Sequence, residues 1–593
     1  MRQAIHLLLV CVSLPQLAWA ESTPAPTPQA PTNKAPAAAS SQSDPEVVLL
    51  LGMPVTQGKE ATLAYLAKIG GKADLIADPI LRRSVRLTLA AIESNPDQAA
   101  QIRQGHLASI STYFVEIGKK ALEEGDLPTA VQAGQLAIRC SGSNTQAKLF
   151  YADILHRKIG KSDDAITLLK SGLGTVNSSE PLGRAYLERY GQILQARHRD
   201  PEVIDFTLNY LNNKDLASET KTILAFQAAT SLYWCGRYPE ATNLIETYKL
   251  DKTASGTMLH SLCLFDGGRV QQALSVLDNR APDFRGQERD AILSQHSRLL
   301  LLLGQPKQAL SLTNDRISLD GTNGFLRVQR LAILDKLGQR DEYEKELRAI
   351  LDQFSGSDSV MLALANYGSQ RGYFSLCELL ANLAVAKGYD TATFSALHLE
   401  SLIRAGKSDL CIRTYQNVNM ANKGHFRSNQ TMVQALLGIA YHLRPKANPS
   451  VEKADRSIGD KYLEAFLEAE VTPGPEAFRS VSRHLIDGGA TEPAAHILSV
   501  GVQTYPWHSQ LRADWISARI LAGQGDAYGT RPALVDEVER LLTGRRPLPP
   551  VWGDILGWLH SESRLDAPRV RKLEAAIEPL VRPGLDRDAF LGR

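Results

Sequence analysis

The sequence predicts an all-α fold, an α-solenoid of stacked helical hairpins. Three observations carry that reading. From about residue 45 onward, runs of roughly 12–18 residues place apolar side chains three and four apart, the period of a helix. Strand-like alternation is scarce, and glycine and proline fall mainly between the runs. The chain has 593 residues, too many for one compact core but natural for a quasi-linear array.

The array shows itself in a repeated pair of columns. A glycine followed five residues later by a small residue occurs at Gly125/Ala130, Gly160/Ala165, Gly236/Ala241, Gly268/Ala273, Gly304/Ala309, Gly372/Cys377, Gly406/Cys411 and Gly489/Ala494. Gly338 keeps the glycine but has Tyr343 in the second place. Most spacings are near 34. The gap of 76 after Gly160 accommodates a degenerate unit around DPEVIDF (200–206). The gap of 83 after Gly406 holds a hairpin with a long connection, QTMVQALLGIAYHL to KYLEAFLEA. Glycine suits a tight left-handed turn between antiparallel helices, and the small residue suits their closest approach. A lone hairpin leaves an apolar face open, and stacking on neighbours buries it.

A 34-residue helix–turn–helix with these columns resembles the tetratricopeptide repeat (TPR) family. Phe114, Ile117 and Gly118 stand where that family has its aromatic–x–x–Leu–Gly signature, followed by Gly125, Asp126, Ala130 and Ala137. A later unit matches with Phe478, Leu485, Gly489, Ala494 and Pro506. The middle units mostly lack the early aromatic and the Leu–Gly pair. The resemblance implies a right-handed superhelix of roughly ten to twelve hairpins and an architecture shared by many functions.

The rest of the chain reads differently. Residues 1–20, MRQAIHLLLVCVSLPQLAWA, combine Arg2, a short apolar stretch and Ala18-Trp19-Ala20, the pattern of a cleavable secretory signal. Val10 before Cys11 argues against a lipidation site. Residues 21–44 hold five prolines among Ala, Ser and Thr and read as a disordered spacer. Residues 45–100 and 526–593 read as helical caps on a solenoid at 101–525; the second carries Trp552 and Trp558. No later segment has 18 uninterrupted apolar residues, so no transmembrane segment is expected after signal cleavage, and the expected location is periplasmic or secreted. Cys140, Cys235, Cys263, Cys377 and Cys411 are odd in number and irregular in spacing. They are expected as buried free thiols, with a single Cys235–Cys263 bridge as the alternative.

Composition and motifs point away from chemistry. Lys and Arg number 66 against 64 acidic residues, a net +2 that gives no reason to expect nucleic acid. No metal-ligand spacing occurs. His260, His296 and His398 each lie eight residues before their repeat's glycine. Equivalent positions on stacked helices stand about 10 Å apart, and zinc requires its ligands within about 2.1 Å, so packing histidines are expected. GQGDAYG (523–529) has the wrong spacing for a dinucleotide loop and no strand before it. Glu562-Ser563 resembles the acid/base Glu-Ser of exported lytic transglycosylases. The glycine-rich Gly-x-Met-Gln stretch is missing and 31 residues follow, so a surface glutamate is expected. No catalytic residue, metal or cofactor is assigned.

The TPR resemblance implies that the first helix of each hairpin lines a concave groove, with inward side chains about thirteen, ten, six, three and two residues before the glycine. These positions hold Phe226, Tyr233, Trp234, Met258, Phe265 and Asp266, then Arg298, Leu362, Asn366, Glu400 and Arg404. The early patch is aromatic, as protein-binding hot spots often are. Core packing is the competing reading of these aromatics. The family's Lys/Asn carboxylate clamp is not reproduced. The expected function is a non-catalytic scaffold or adaptor that binds protein partners in the periplasm or cell envelope. The alternative is a peptidoglycan- or polysaccharide-associated component of export or cell-wall machinery.

Overall fold

The computed structural model describes residues 59–69, 76, 78–213, 216–319, 321–445, 449–469 and 471–522, with scattered positions at 538, 555, 571–573, 575 and 577. The signal, the spacer, GQGDAYG, Trp552, Trp558 and Glu562 lie outside the described residues. The chain forms two compact units: the first comprises the described residues up to 199 together with 206–224, and the second comprises 200–205 and those from 225 on.

The first unit opens with α1 (Lys59–Ile69) and α2 (Pro79–Ser94), then α3 (Ala99–Glu123), α4 (Leu127–Cys140), α5 (Thr145–Ile154), α6 (Ser162–Lys170) and α7 (Pro181–Ala196). Helices α8 (Asp200–Leu211) and α9 (Ser218–Trp234) follow. The second unit continues with α10 (Tyr238–Thr247), α11 (Ala254–Asp266), α12 (Val270–Arg280), α13 (Gly286–Leu302), α14 (Pro306–Leu319), α15 (Gly324–Lys336) and α16 (Arg340–Phe354). It ends with α17 (Asp358–Arg371), α18 (Phe374–Lys387), α19 (Thr391–Arg404), α20 (Ser408–Ala421), α21 (Gln430–Leu443), α22 (Pro449–Leu467), α23 (Pro475–Asp487), α24 (Thr491–Thr504) and α25 (Ser509–Leu521). No strand occurs among the described residues. The fold is an α-solenoid of TPR-like helix–turn–helix repeats.

The glycine column does what the sequence demands of it. Gly125, Gly160, Gly236, Gly268, Gly304, Gly338, Gly372, Gly406 and Gly489 all have φ between +68° and +90°. In the turns after Gly125, Gly236, Gly268, Gly304, Gly338, Gly372, Gly406 and Gly489, the next N–H donates to the carbonyl five residues back at 2.7–3.0 Å. This closes each first helix with the 6→1 bond of a left-handed cap. After Gly160 the bond spans six residues, Lys161 to Leu155, because the last turn, Leu155–Ile159, is π-helical. The degenerate unit is present: His198 takes φ +52° in the glycine's place, and Arg199 N–H donates to the Leu194 carbonyl at 2.9 Å.

The small-residue column is buried throughout: Ala130, Ala165, Ala241, Ala273, Ala309, Cys377, Cys411 and Ala494 are each at most 1% exposed. Helices α21 and α22 use a different device. A Cβ on Gly438 would lie 2.7 Å from Leu463 and 3.2 Å from the Gly459 carbonyl, so bare backbone sets their approach. Polar side chains start many helices: Asp78, Asp126, Asn144, Thr253, Asn323, Ser357 and Asp390 each accept a first-turn N–H.

In the first unit the core runs through Phe114, Val115, Ala130, Ala137 and Phe150. In the second it continues from Met258, Phe265 and Ala273 through Leu331, Leu364 and Leu380 to Phe466, Phe478 and Leu498. Each such large side chain contributes about 1.5–3 kcal/mol by leaving water. The five cysteines among the described residues are buried free thiols, with no disulfide among them. Burial pushes Cys140, Cys377 and Cys411 up to about 12, which leaves them unreactive as thiolates.

Candidate functional site

All the groove positions named from the sequence fall in the second unit. The structure brings several of them together. Tyr233, near the end of α9, donates to Asp266 Oδ2 of α11 at 2.7 Å. Its ring meets Trp234 at 5.3 Å and Tyr238 at 5.6 Å between centroids. Phe226, Tyr233, Trp234 and Asp266 are half-buried. Arg298 of α13 is also half-buried, and its charge is felt by Tyr233 and Asp266. Its Nη1 has no hydrogen-bond partner.

A second group gathers further along. Glu400 of α19 is buried and meets Arg404 Nη2 at 3.3 Å and His484 Nε2 of α23 at 3.3 Å. Burial pushes the Glu400 carboxyl up, but His484 and Arg404 outweigh it and hold it down at about 2. Arg404 is half-buried and its Nε has no hydrogen-bond partner.

Four of the named residues are not surface at all: Glu400, closed in by Arg404 and His484, is 2% exposed, and three others join it. Met258 and Phe265 are 1% and 2% exposed and belong to the core, which corrects their expected place in the groove. The reason is that α11 is covered on nearly all sides, so its inward register meets protein instead of solvent. Asn366 is likewise buried, and its Nδ2 donates to the Leu362 carbonyl one turn back at 3.0 Å. Leu362 itself is half-buried.

The same register names a further cluster whose charges the sequence pattern alone does not single out. Counting thirteen, ten and six back from Gly489 gives Glu476, Arg479 and Arg483, all on α23. Arg479 is buried and gathers acceptors from two helices. Its Nε donates to Asp514 Oδ2 at 2.6 Å, and its Nη1 donates to Glu476 at 2.9 and 3.0 Å and to Gln510 Oε1 at 2.7 Å. Burial opposes the charge of Arg479, and the two carboxylates more than restore it. His508 links this cluster to the aromatic patch: its Nε2 lies 3.8 Å from Glu476, and its ring stacks on Trp234 at 6.5 Å. Residues 274 positions apart thus meet inside one unit, a juxtaposition that no local pattern signals.

The histidine column is structural in its surroundings. His260 and His296 are nearly buried and face carboxylates of the preceding hairpin, Glu246 at 3.6 Å and Asp278 at 3.1 Å. His398 is 9% exposed, with Glu378 the carboxylate acting on it. Among the described residues no group of His, Cys, Asp and Glu is arranged to hold a metal ion. A separate apolar set ends three second helices: Leu319, Val385 and Met420 are each more than two-thirds exposed.

No protein-family model matches the chain, and no curated protein matches it. Among solved structures, the chain is similar to the APC/C hetero-tetramer Cut9-Hcn1, at 13% identity over 81% of this chain and 98% of that chain, with a TM-score of 0.26. It is similar to yeast Tom70, at 12% identity over 77% and 99%, with a TM-score of 0.35. It is similar to the TPR domain of P58(IPK), at 14% identity over 70% and 99%, with a TM-score of 0.16. The repeat geometry described above, not these likenesses, defines the fold.

Chemically, the arrangement offers recognition. Its polar groups are guanidiniums held by carboxylates beside an aromatic patch, and arginine and aromatic side chains are those that carry binding energy in protein interfaces.

Proposed function

We propose that this chain is a non-catalytic scaffold that binds protein partners through the inward face of its TPR-like repeats. The observation that carries the reading is the inward register itself. It offers half-buried aromatics, Phe226, Tyr233 and Trp234, together with the half-buried arginines Arg298 and Arg404. Aromatic and arginine side chains dominate interface hot spots.

The place of action is the bacterial periplasm or cell envelope. The signal-like segment 1–20 and the proline-rich 21–44 support that location, since together they resemble a leader and a tether. No described helix is long and apolar enough to cross a membrane.

The test is in-cell crosslinking with recovery from the envelope fraction, comparing the native protein with a Phe226→Ala/Trp234→Ala variant whose helical circular dichroism matches it. A protein species captured by the native form and lost in the variant supports the reading. Recovery of glycan alone favours the polysaccharide-associated alternative. Capture that is unchanged in the variant but lost in Leu319→Ser/Val385→Ser/Met420→Ser moves the docking surface to the second-helix ends and overturns the groove assignment.

A further inference from the structure

The deeper question about the groove is what chemistry its occupant carries, and Arg483 answers it. This residue sits six positions before Gly489, in the same inward register as Arg298 and Glu400. Three guanidiniums, those of Arg404, Arg479 and Arg483, lie within electrostatic reach of one another. Three carboxylates accompany them, but unevenly. Glu476 and Asp514 both converge on Arg479, and Glu400 is engaged by Arg404 and His484. Arg483 is left over. It is half-buried, and among the described residues its guanidinium makes no hydrogen bond and no direct ion pair; Asp514 and Glu476 reach it only through their charge. Burial, and next the neighbouring charge of Arg479, push it down to about 10.

A guanidinium carries five N–H donors in a planar fork that matches a carboxylate. Holding that fork partly out of water, beside two like charges and without an acceptor, is unfavourable. An incoming oxyanion would relieve it. The surrounding carboxylates narrow the choice of oxyanion: Glu400, Glu476 and Asp514 balance the three arginines, so the cluster has no net positive charge to draw in a polyanion such as nucleic acid, while the fork of Arg483 still matches a carboxylate.

We infer that Arg483 is the anchor of an oxyanion pocket in the groove, and that its occupant is a carboxylate from an acidic segment of a partner protein. This rests on the scaffold reading above and adds the partner's chemistry to it.

The experiment uses the full mature chain and two fluorescent probes: a Gly-Ser peptide with a central Glu-Glu pair, and the same peptide with Gln-Gln. Anisotropy titrations at low salt should show the Glu-Glu peptide binding tighter to the native protein by about ten- to a hundredfold. Arg483→Gln should erase that preference. Arg483→Lys, which keeps the charge but loses the fork and is the milder change for folding, should retain only part of it. Circular dichroism and thermal melts confirm that each variant is folded. Equal binding of the two peptides to the native protein, or native-like discrimination by Arg483→Gln, overturns the inference. Failure of the peptide arm with persistent partner capture removes the oxyanion pocket but leaves the scaffold reading standing. Peptide discrimination without any captured partner supports the pocket and counts against the scaffold.

Discussion

Replacing Arg479 with methionine should destabilise the last repeats by about 3–5 kcal/mol, the range for removing one partner of a buried ion pair. The structure gives the reason. Arg479 is 6% exposed and donates to Asp514, Glu476 and Gln510 at 2.6–3.0 Å. Methionine fills much of the volume but leaves two carboxylates facing each other with no cation between them. Charge-assisted bonds contribute about 1.5–3 kcal/mol each, and here they are not additive because they share one guanidinium. A repeat array need not unfold as one unit, so a single melting temperature is the wrong readout. Native-state hydrogen exchange resolves the effect by segment: α23 and α25 should lose protection, while α3 and α4 keep theirs. Adding Glu476→Gln and Asp514→Asn to the methionine variant should recover most of the stability, since neutral amides need no counter-charge. A loss below about 1 kcal/mol, or a triple variant no better than the single one, would refute the reasoning.

Three further outcomes follow from particular residues. Burial pushes the Asp200 carboxyl up to about 7, against the pull of a hydrogen bond to Ser231. A raised folded-state pKa means that its contribution is fully present below about 4 and is lost as pH rises through about 7. Asp200→Asn should therefore gain on the native protein between pH 4 and 8, by at most about 4 kcal/mol, measured by denaturant titration at each pH; a constant difference would sink the assignment. Gly438→Ala should destabilise the α21–α22 hairpin by about 1–2 kcal/mol, because the new methyl meets Leu463 and costs more than the helix propensity it gains; an increase in stability would show that the approach can relax. The five buried thiols should resist a thiol reagent in the native state and react fully in denaturant, and fast native labelling would contradict their burial.

Much of this fold was legible in the chain. A Cβ-less residue at a left-handed turn and a small residue at a close helix approach are local demands, so they leave fixed marks about 34 residues apart. The same marks located the degenerate unit at 200–206, although the side chain that accepts the glycine's conformation there, His198, bears no sequence sign of doing so. The inward register was also legible, and applied to Gly489 it names Glu476, Arg479 and Arg483. It failed at Met258, Phe265, Asn366 and Glu400, because a register tells which way a side chain points and not what lies in front of it. That second quantity belongs to the tertiary structure. Trp234 meets His508, and Glu400 meets His484, only because small rotations between successive hairpins add up along the array. Helical hairpins and their period were thus determined by the sequence residue by residue. Which inward side chains are closed in against each other, and which guanidinium is left without a partner, was decided by stacking geometry summed over many repeats.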